Sequence, residues 1–171
     1  MIQRFTFGCP LPTESVVLPV EPAAAAVSYL TAEPDGSWSF SLAEDAVVYG
    51  LGEMPRGINK RGWHYVTDNT DESHHGENRL SYYGAHNFLL IDGGAGRSVF
   101  GVFVDFPGKV FYDIGYTRHD RLTFRTEEPD YDLYILTGDS PNAVCTEFRK
   151  LIGHSYIPPK WAFGFAQSRW G

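Results

Sequence analysis

The spacing of the apolar runs constrains this chain more than any other feature. Residues 38–42, 47–53, 88–91, 99–104, 110–115, 121–125 and 131–136 each form a short segment rich in Val, Ile, Leu, Phe, Tyr or Trp, and turn-forming residues separate one segment from the next. Segments of this length are short for helices and right for strands. The 18 glycines and 11 prolines are spread along the chain and supply the punctuation between them. A chain of 171 residues, 43% hydrophobic and 15% aromatic, has enough apolar surface to bury a sizeable core. An all-β fold is expected, and regular spacing of this kind points to a β-sandwich.

The runs differ in texture. Residues 38–42 alternate strictly, with the large apolar side chains on one side, and Asp35-Gly36 ahead of them is a hairpin turn signal. That is a half-buried strand. Residues 88–91 and 99–104 are apolar on both faces and flank Asp92-Gly93-Gly94, so they read as a hairpin buried on both sides, as in stacked sheets. In Val47-Val48-Tyr49-Gly50-Leu51-Gly52-Glu53 the glycines lack phosphate-loop spacing and no helix pattern follows. A strand ending in a bulge, where two backbones approach closely, is the reading that fits.

Residues 1–32 alternate poorly; an initial strand over 3–7 and a loosely held connection are expected there. One helix is legible. Asp139 or Ser140 can cap it, Pro141 sits in its first turn, Val144, Phe148, Leu151 and Ile152 share a face, and Gly153 ends it. Glu147 can pair with Lys150, and Arg149 and Lys150 suit the C-terminal end of the dipole. Its role is packing.

Charge narrows the function classes. The net charge of −7, with no basic cluster, leaves no footprint for nucleic acid. Met1 to Gly8 lacks the basic and apolar regions of a secretory signal, and no stretch approaches membrane-spanning length. Cys9 and Cys145 lack metal spacing and read as free thiols, so a cytoplasmic protein without cofactor is expected.

The segment 54–83 is crowded with charged and polar residues, and only Trp63-His64-Tyr65-Val66 interrupts it with apolar character. A long polar loop within a compact β domain is more often functional than a short one. It reads as a solvated surface loop, as a metal site built from Asp71, His74, His75 and Glu77, or as a loop that reaches a ligand. Adjacent histidines point in different directions and the helical H-x-x-x-H spacing is missing, which disfavours metal. The ligand-reaching loop is the preferred reading.

The last stretch, 157–171, begins with Pro158-Pro159, which withdraw two backbone donors and force an extended exit. Trp161-Ala162-Phe163-Gly164-Phe165-Ala166 is apolar on alternating faces, as in a strand covered on both sides. Such a strand needs neighbours that the sequence does not supply. We therefore expect the chain to be the front of a longer protein, with a domain over 1–156 and the linker and first strand of another over 157–171.

Pro158-Pro159-Lys160-Trp161-Ala162-Phe163-Gly164-Phe165, followed by Gln167-Ser168-Arg169-Trp170-Gly171, resembles the segment joining the N-terminal β-sandwich to the first barrel strand in glycoside hydrolase family 31, the α-glucosidase family. Tyr49-Gly50-Leu51-Gly52-Glu53, Asn69-Thr70-Asp71, Tyr82-Tyr83-Gly84-Ala85-His86-Asn87-Phe88 and Asp113-Ile114-Gly115 extend the similarity. The resemblance implies a galactose-mutarotase-like sandwich with one short helix, followed by the first strand of a truncated (β/α)8 barrel. It implies retaining hydrolysis of terminal α-glucosidic bonds of oligosaccharides, with both catalytic aspartates beyond Gly171, so that the chain alone is inactive. Retention needs two carboxyl groups about 5 Å apart; the acidic pairs Asp71-Glu72, Glu127-Glu128 and Asp130/Asp132 read instead as solvated charges.

Two substrate-binding residues follow from the same resemblance. Asp71 matches the aspartate whose loop extends over the barrel mouth and binds sugar hydroxyls, a role suited to a carboxylate acceptor. Trp170 matches the aromatic residue near the bound sugar. The expected partners are an α-glucoside oligosaccharide together with the missing barrel, and self-association through the uncovered terminal strand is one expected fate. Other readings are a freestanding carbohydrate-binding module and a mutarotase-like epimerase, for which His86 and Glu77 would be base and acid.

Overall fold

The computed structural model describes residues 1–24, 30–71, 73–94 and 98–167. The chain forms ten strands and one α-helix among them: β1 (Ile2–Phe7), β2 (Leu30–Ala32), β3 (Trp38–Ser41), β4 (Val47–Gly52), β5 (Trp63–Thr67), β6 (Ala85–Asp92), β7 (Val99–Asp105), β8 (Val110–Ile114), β9 (Arg121–Thr126), β10 (Tyr131–Gly138) and α1 (Pro141–Ile152). They make two five-stranded antiparallel sheets, in the order β1-β10-β7-β6-β4 and β2-β3-β9-β8-β5. This is the all-β sandwich expected, with its single helix.

Alternation along the strands builds the core. Leu89, Ile91, Val102, Val104, Leu133 and Ile135 of the first sheet point inward, each 1% exposed or less. They meet Phe40, Val110, Tyr112, Ile114, Leu122 and Phe124 of the second sheet in one cluster. Full burial of a side chain of this size contributes about 2 kcal/mol.

The opposite faces of β6, β7 and β10 are apolar for a different reason from the one anticipated. Phe88, Leu90, Phe103, Tyr134 and Leu136 are covered by α1 through Val144 and Leu151 rather than by another sheet among the described residues. Phe148 of the helix stacks on Phe88 with ring centroids 3.8 Å apart and planes 6° apart. Ser140 caps the helix by accepting from the Ala143 amide at 3.2 Å, and Gly153 ends it at φ 86°. Ile152, grouped with the packing face by its spacing, sits at the margin and is 36% exposed.

The N-terminal connection is tied down by long-range bonds. β1 closes one edge of the first sheet by pairing with β10. The amides of Val17 and Leu18 both donate to the Leu151 carbonyl, capping α1, and Ala23 donates to Arg4. β2, read from sequence as part of this connection, pairs with β3. At the end of β4 the register slips between Gly50 and Gly52, the expected bulge, with fully buried Leu51 between them at φ 66°.

The terminal run differs from expectation. Lys160–Phe163 forms a 3-10 turn, held by Ala162 and Gly164 amides donating to Pro159 and Trp161 carbonyls. Trp161, Phe163 and Phe165 are 75–95% exposed, in the order 81%, 75% and 95%. A strand satisfies its backbone groups only through neighbours, and none of the described strands pairs with this segment, so local turn bonds take their place. Among the described residues, no helix is long and apolar enough to cross a membrane.

Candidate functional site

The polar segment contains an edge strand and a finger. β5 belongs to the second sheet and β6 to the first, so the residues between Thr67 and Ala85 pass from one layer to the other. Their root is clamped: Val66 donates to the Leu80 carbonyl at 3.2 Å, Thr70 to the Tyr82 carbonyl at 3.1 Å, and Asp68 to the Ser81 hydroxyl at 3.3 Å. Asn69 Oδ1 accepts from the Ala85 amide at 2.6 Å. Within the finger, buried Tyr82 donates its hydroxyl to the Gly76 carbonyl at 2.9 Å.

Asp71 lies on the exposed part of this finger, one residue beyond the Thr70 clamp. Among the described residues its carboxylate has no hydrogen-bond or ion-pair partner. Such a group can accept hydroxyl hydrogen bonds from a ligand without first breaking an internal one. Trp170 lies outside the described residues.

The exposed histidines of the finger contact near neighbours within it. The His75 ring leans on Tyr82 and Tyr83 at 4.9 and 5.3 Å, and His74 Nδ1 meets the Ser73 hydroxyl at 2.9 Å.

Ahead of β5, much of the polar content is structural, which the residue types alone did not reveal. Lys60, 5% exposed, lies 5.6 Å over the Tyr65 ring and donates to the Pro55 carbonyl at 3.4 Å. Burial lowers the pKa of its ammonium group, the charge of Glu77 opposes this, and Arg56 adds to the lowering. Arg56 lies 4.3 Å over Trp63 and donates to the His64 carbonyl at 2.9 Å. The alternation of Trp63 and Tyr65 was the available signal for this strand.

Of the acidic residues considered for catalysis, Asp132, Asp130 and Glu127 are engaged elsewhere. Asp132 holds Arg4 and Thr6, Asp130 accepts from the Cys9 amide, and Glu127 accepts from the Lys109 amide. His86 and Glu77 have different surroundings. His86 lines a cleft of about 430 Å³ beside the finger root, whereas the charge of Glu77 is felt by Lys60 and Tyr65. The polar groups of that cleft are braced internally, with Lys109 paired to Asp68 at 3.0 Å and Asn87 donating to the Phe106 carbonyl at 3.2 Å.

A larger cleft, about 660 Å³, lies on the outer face of the second sheet. There His64 Nε2 sits 3.1 Å from Asp113 Oδ2, and the Tyr116 ring lies 4.4 Å from the His64 ring, tilted by 55°. Burial alone would raise the Asp113 pKa. The Thr117 hydroxyl, the Thr117 and Tyr116 amides and His64 outweigh it and hold the carboxyl below its ordinary value of 3.8.

The two five-stranded antiparallel sheets define a β-sandwich domain. A GH31 dextranase from Flavobacterium johnsoniae, solved with glucose, superposes with a TM-score of 0.68 at 25% identity, over 82% of this chain and 17% of that one. Residues 23–113 match the model of the glycosyl hydrolase 31 N-terminal galactose mutarotase-like domain, and the chain belongs to that family. It is 33% identical over 134 residues to alpha-glucosidase 2 of Bacillus thermoamyloliquefaciens, covering 77% of this chain and 16% of that protein. It is 32% identical over 124 residues to alpha-xylosidase XylQ of Lactiplantibacillus pentosus, covering 72% of this chain and 15% of that protein. The chain thus spans about a sixth of the length of these relatives.

Proposed function

We propose that the chain is the N-terminal domain of a retaining α-glucosidase-type enzyme that hydrolyses terminal α-glucosidic bonds of oligosaccharides, and that Asp71 binds hydroxyls of the sugar beyond the cleaved bond. The observation that carries this reading is the clamped finger with an unpartnered, exposed carboxylate just beyond its root. Family membership supports it, as does the similarity to an alpha-glucosidase and to a dextranase. In this reading residues 1–156 brace a catalytic barrel, and 157–171 are the linker and first strand, with Trp170 beside the sugar. The catalytic carboxylates come from the remainder, and the enzyme works in the cytoplasm. The exposed Trp161, Phe163 and Phe165 favour association of separate copies until a barrel covers them.

The test compares turnover of maltose and isomaltose by the 171-residue chain and by the longer protein. Turnover is expected only in the longer protein, where Asp71→Asn should lower kcat/KM by about tenfold, mainly through KM. Enzyme-like hydrolysis by the 171-residue chain, or an Asp71→Asn protein indistinguishable from its parent, would overturn the reading.

A further inference from the structure

The outer face of the second sheet is not a flat, solvated surface. Register places Ser39, Thr123, Asp113 and His64 in one row across β3, β9, β8 and β5. Arg125, Phe111 and Val66 form the adjoining row on the same face. Side walls rise on either side of this floor. Glu33, Pro34 and Asp35 of the β2–β3 turn contribute one, while Thr117 and Arg118 of the β8–β9 turn and Leu80 of the finger contribute another. The volume of this open cleft, about 660 Å³, is within the range of small-ligand sites.

The charges lining this cleft cancel. Three guanidinium groups, Arg118, Arg121 and Arg125, face three carboxylates, Glu33, Asp35 and Asp113. Arg121 is committed to Glu33 at 2.8 Å and to the Ser39 hydroxyl at 3.0 Å, and Asp113 is committed to His64. With opposite charges equal in number, the lining offers no net charge to draw in an anion or a cation. A neutral polyhydroxyl ligand can use both kinds of group, donating to carboxylate oxygens and accepting from guanidinium N–H groups. Apolar surface for the C–H faces of such a ligand is present too. Val66, Leu80 and Phe111 line it, with the Arg125 guanidinium 3.9 Å over one part of the Phe111 ring.

We propose that this cleft is an oligosaccharide-binding site, separate from the Asp71 finger, that takes a short neutral glucan through Arg125, Asp113 and His64. Its saccharide chemistry accords with the proposed function but is argued from the cleft itself, so the two can fail independently. The 171-residue chain already contains both sheets and their shared core, and it can be tested as it stands. Backbone amide NMR shifts would be followed during titration with isomaltotriose and with maltotriose, with glucose 6-phosphate as an anionic control. Saturable shifts are expected on β8, β9 and the Tyr116-Thr117 turn, with affinity about tenfold weaker in Arg125→Ala and in His64→Ala. Three results would overturn the proposal: shifts confined to residues 67–79, a control that binds as well as the neutral sugars, or no saturable shift at millimolar sugar. Undiminished affinity in both variants would do the same. Turnover of the longer protein bears only on the proposed function.

Discussion

Arg4 and Asp132, 128 positions apart in the chain, meet fork to fork across β1 and β10: Nε is 3.0 Å from Oδ1 and Nη2 is 2.8 Å from Oδ2. The Thr6 hydroxyl donates to the same carboxylate at 2.7 Å. The carboxylate side chain is only 11% exposed, so removing its cation leaves a charge with poor access to water. Arg4→Met is expected to lower unfolding stability by about 2 kcal/mol in urea, a discounted figure because the arginine itself is partly solvated.

The bulge in β4 makes a sharper prediction. A Cβ on Gly50 would lie 2.2 Å from the Phe88 carbonyl oxygen, and the residue sits at φ +121°. Gly50→Ala should cost about 3 kcal/mol, combining strain with a clash against backbone that cannot yield. Gly36, at φ +83° with nothing within 4 Å of its would-be Cβ, is the control. Gly36→Ala should cost about 1 kcal/mol in the same denaturation experiment.

Phe148→Ala removes the ring stacked on Phe88 and should destabilise the domain by about 3 kcal/mol. Ile152→Ala, at the exposed margin of the same helix, should change stability by about 0.5 kcal/mol or less. Thermal melts of the two variants check the contrast.

His86 should give stability a pH dependence near neutrality. The residue keeps an exposed edge, yet burial of its ring against the cleft walls and the close backbone at Gly52 lowers its pKa from the ordinary 6.5. The unfolded chain takes up its proton first. The contribution of neutral His86 is therefore present above about pH 6.5 and is lost as pH falls through the lower folded value. NMR titration of the His86 ring should give a midpoint below 6.5, and His86→Gln should flatten the stability profile in this window.

Elements whose cues are local were legible in the sequence. Period-two runs, the Asp35-Gly36 turn and the capped helix with Gly153 each announce themselves within a dozen residues. The features that depend on distant partners were not. β2 is three residues long and is defined by its pairing with β3, while the stretch around Val17 is ordered by a carbonyl at Leu151. The apolar outer faces of β6 and β7 signalled burial but could not say that a helix supplies it. In the polar segment, Asp71 and Lys60 are equally charged on paper. Only packing separates an ammonium group lodged over Tyr65 from a carboxylate left free for a ligand. His64 and Asp113 are 49 positions apart and become neighbours through the β5–β8 register, so no motif could have joined them.

Because the finger takes off from one layer of the sandwich and lands on the other, the spacing between the layers sets where its end points. A cavity opened at Ile114 or Val48, far from any sugar, would tilt that pointer. Such a change would register as weakened substrate affinity in an otherwise intact protein, so the domain's interior works as the alignment gauge for a contact made outside it.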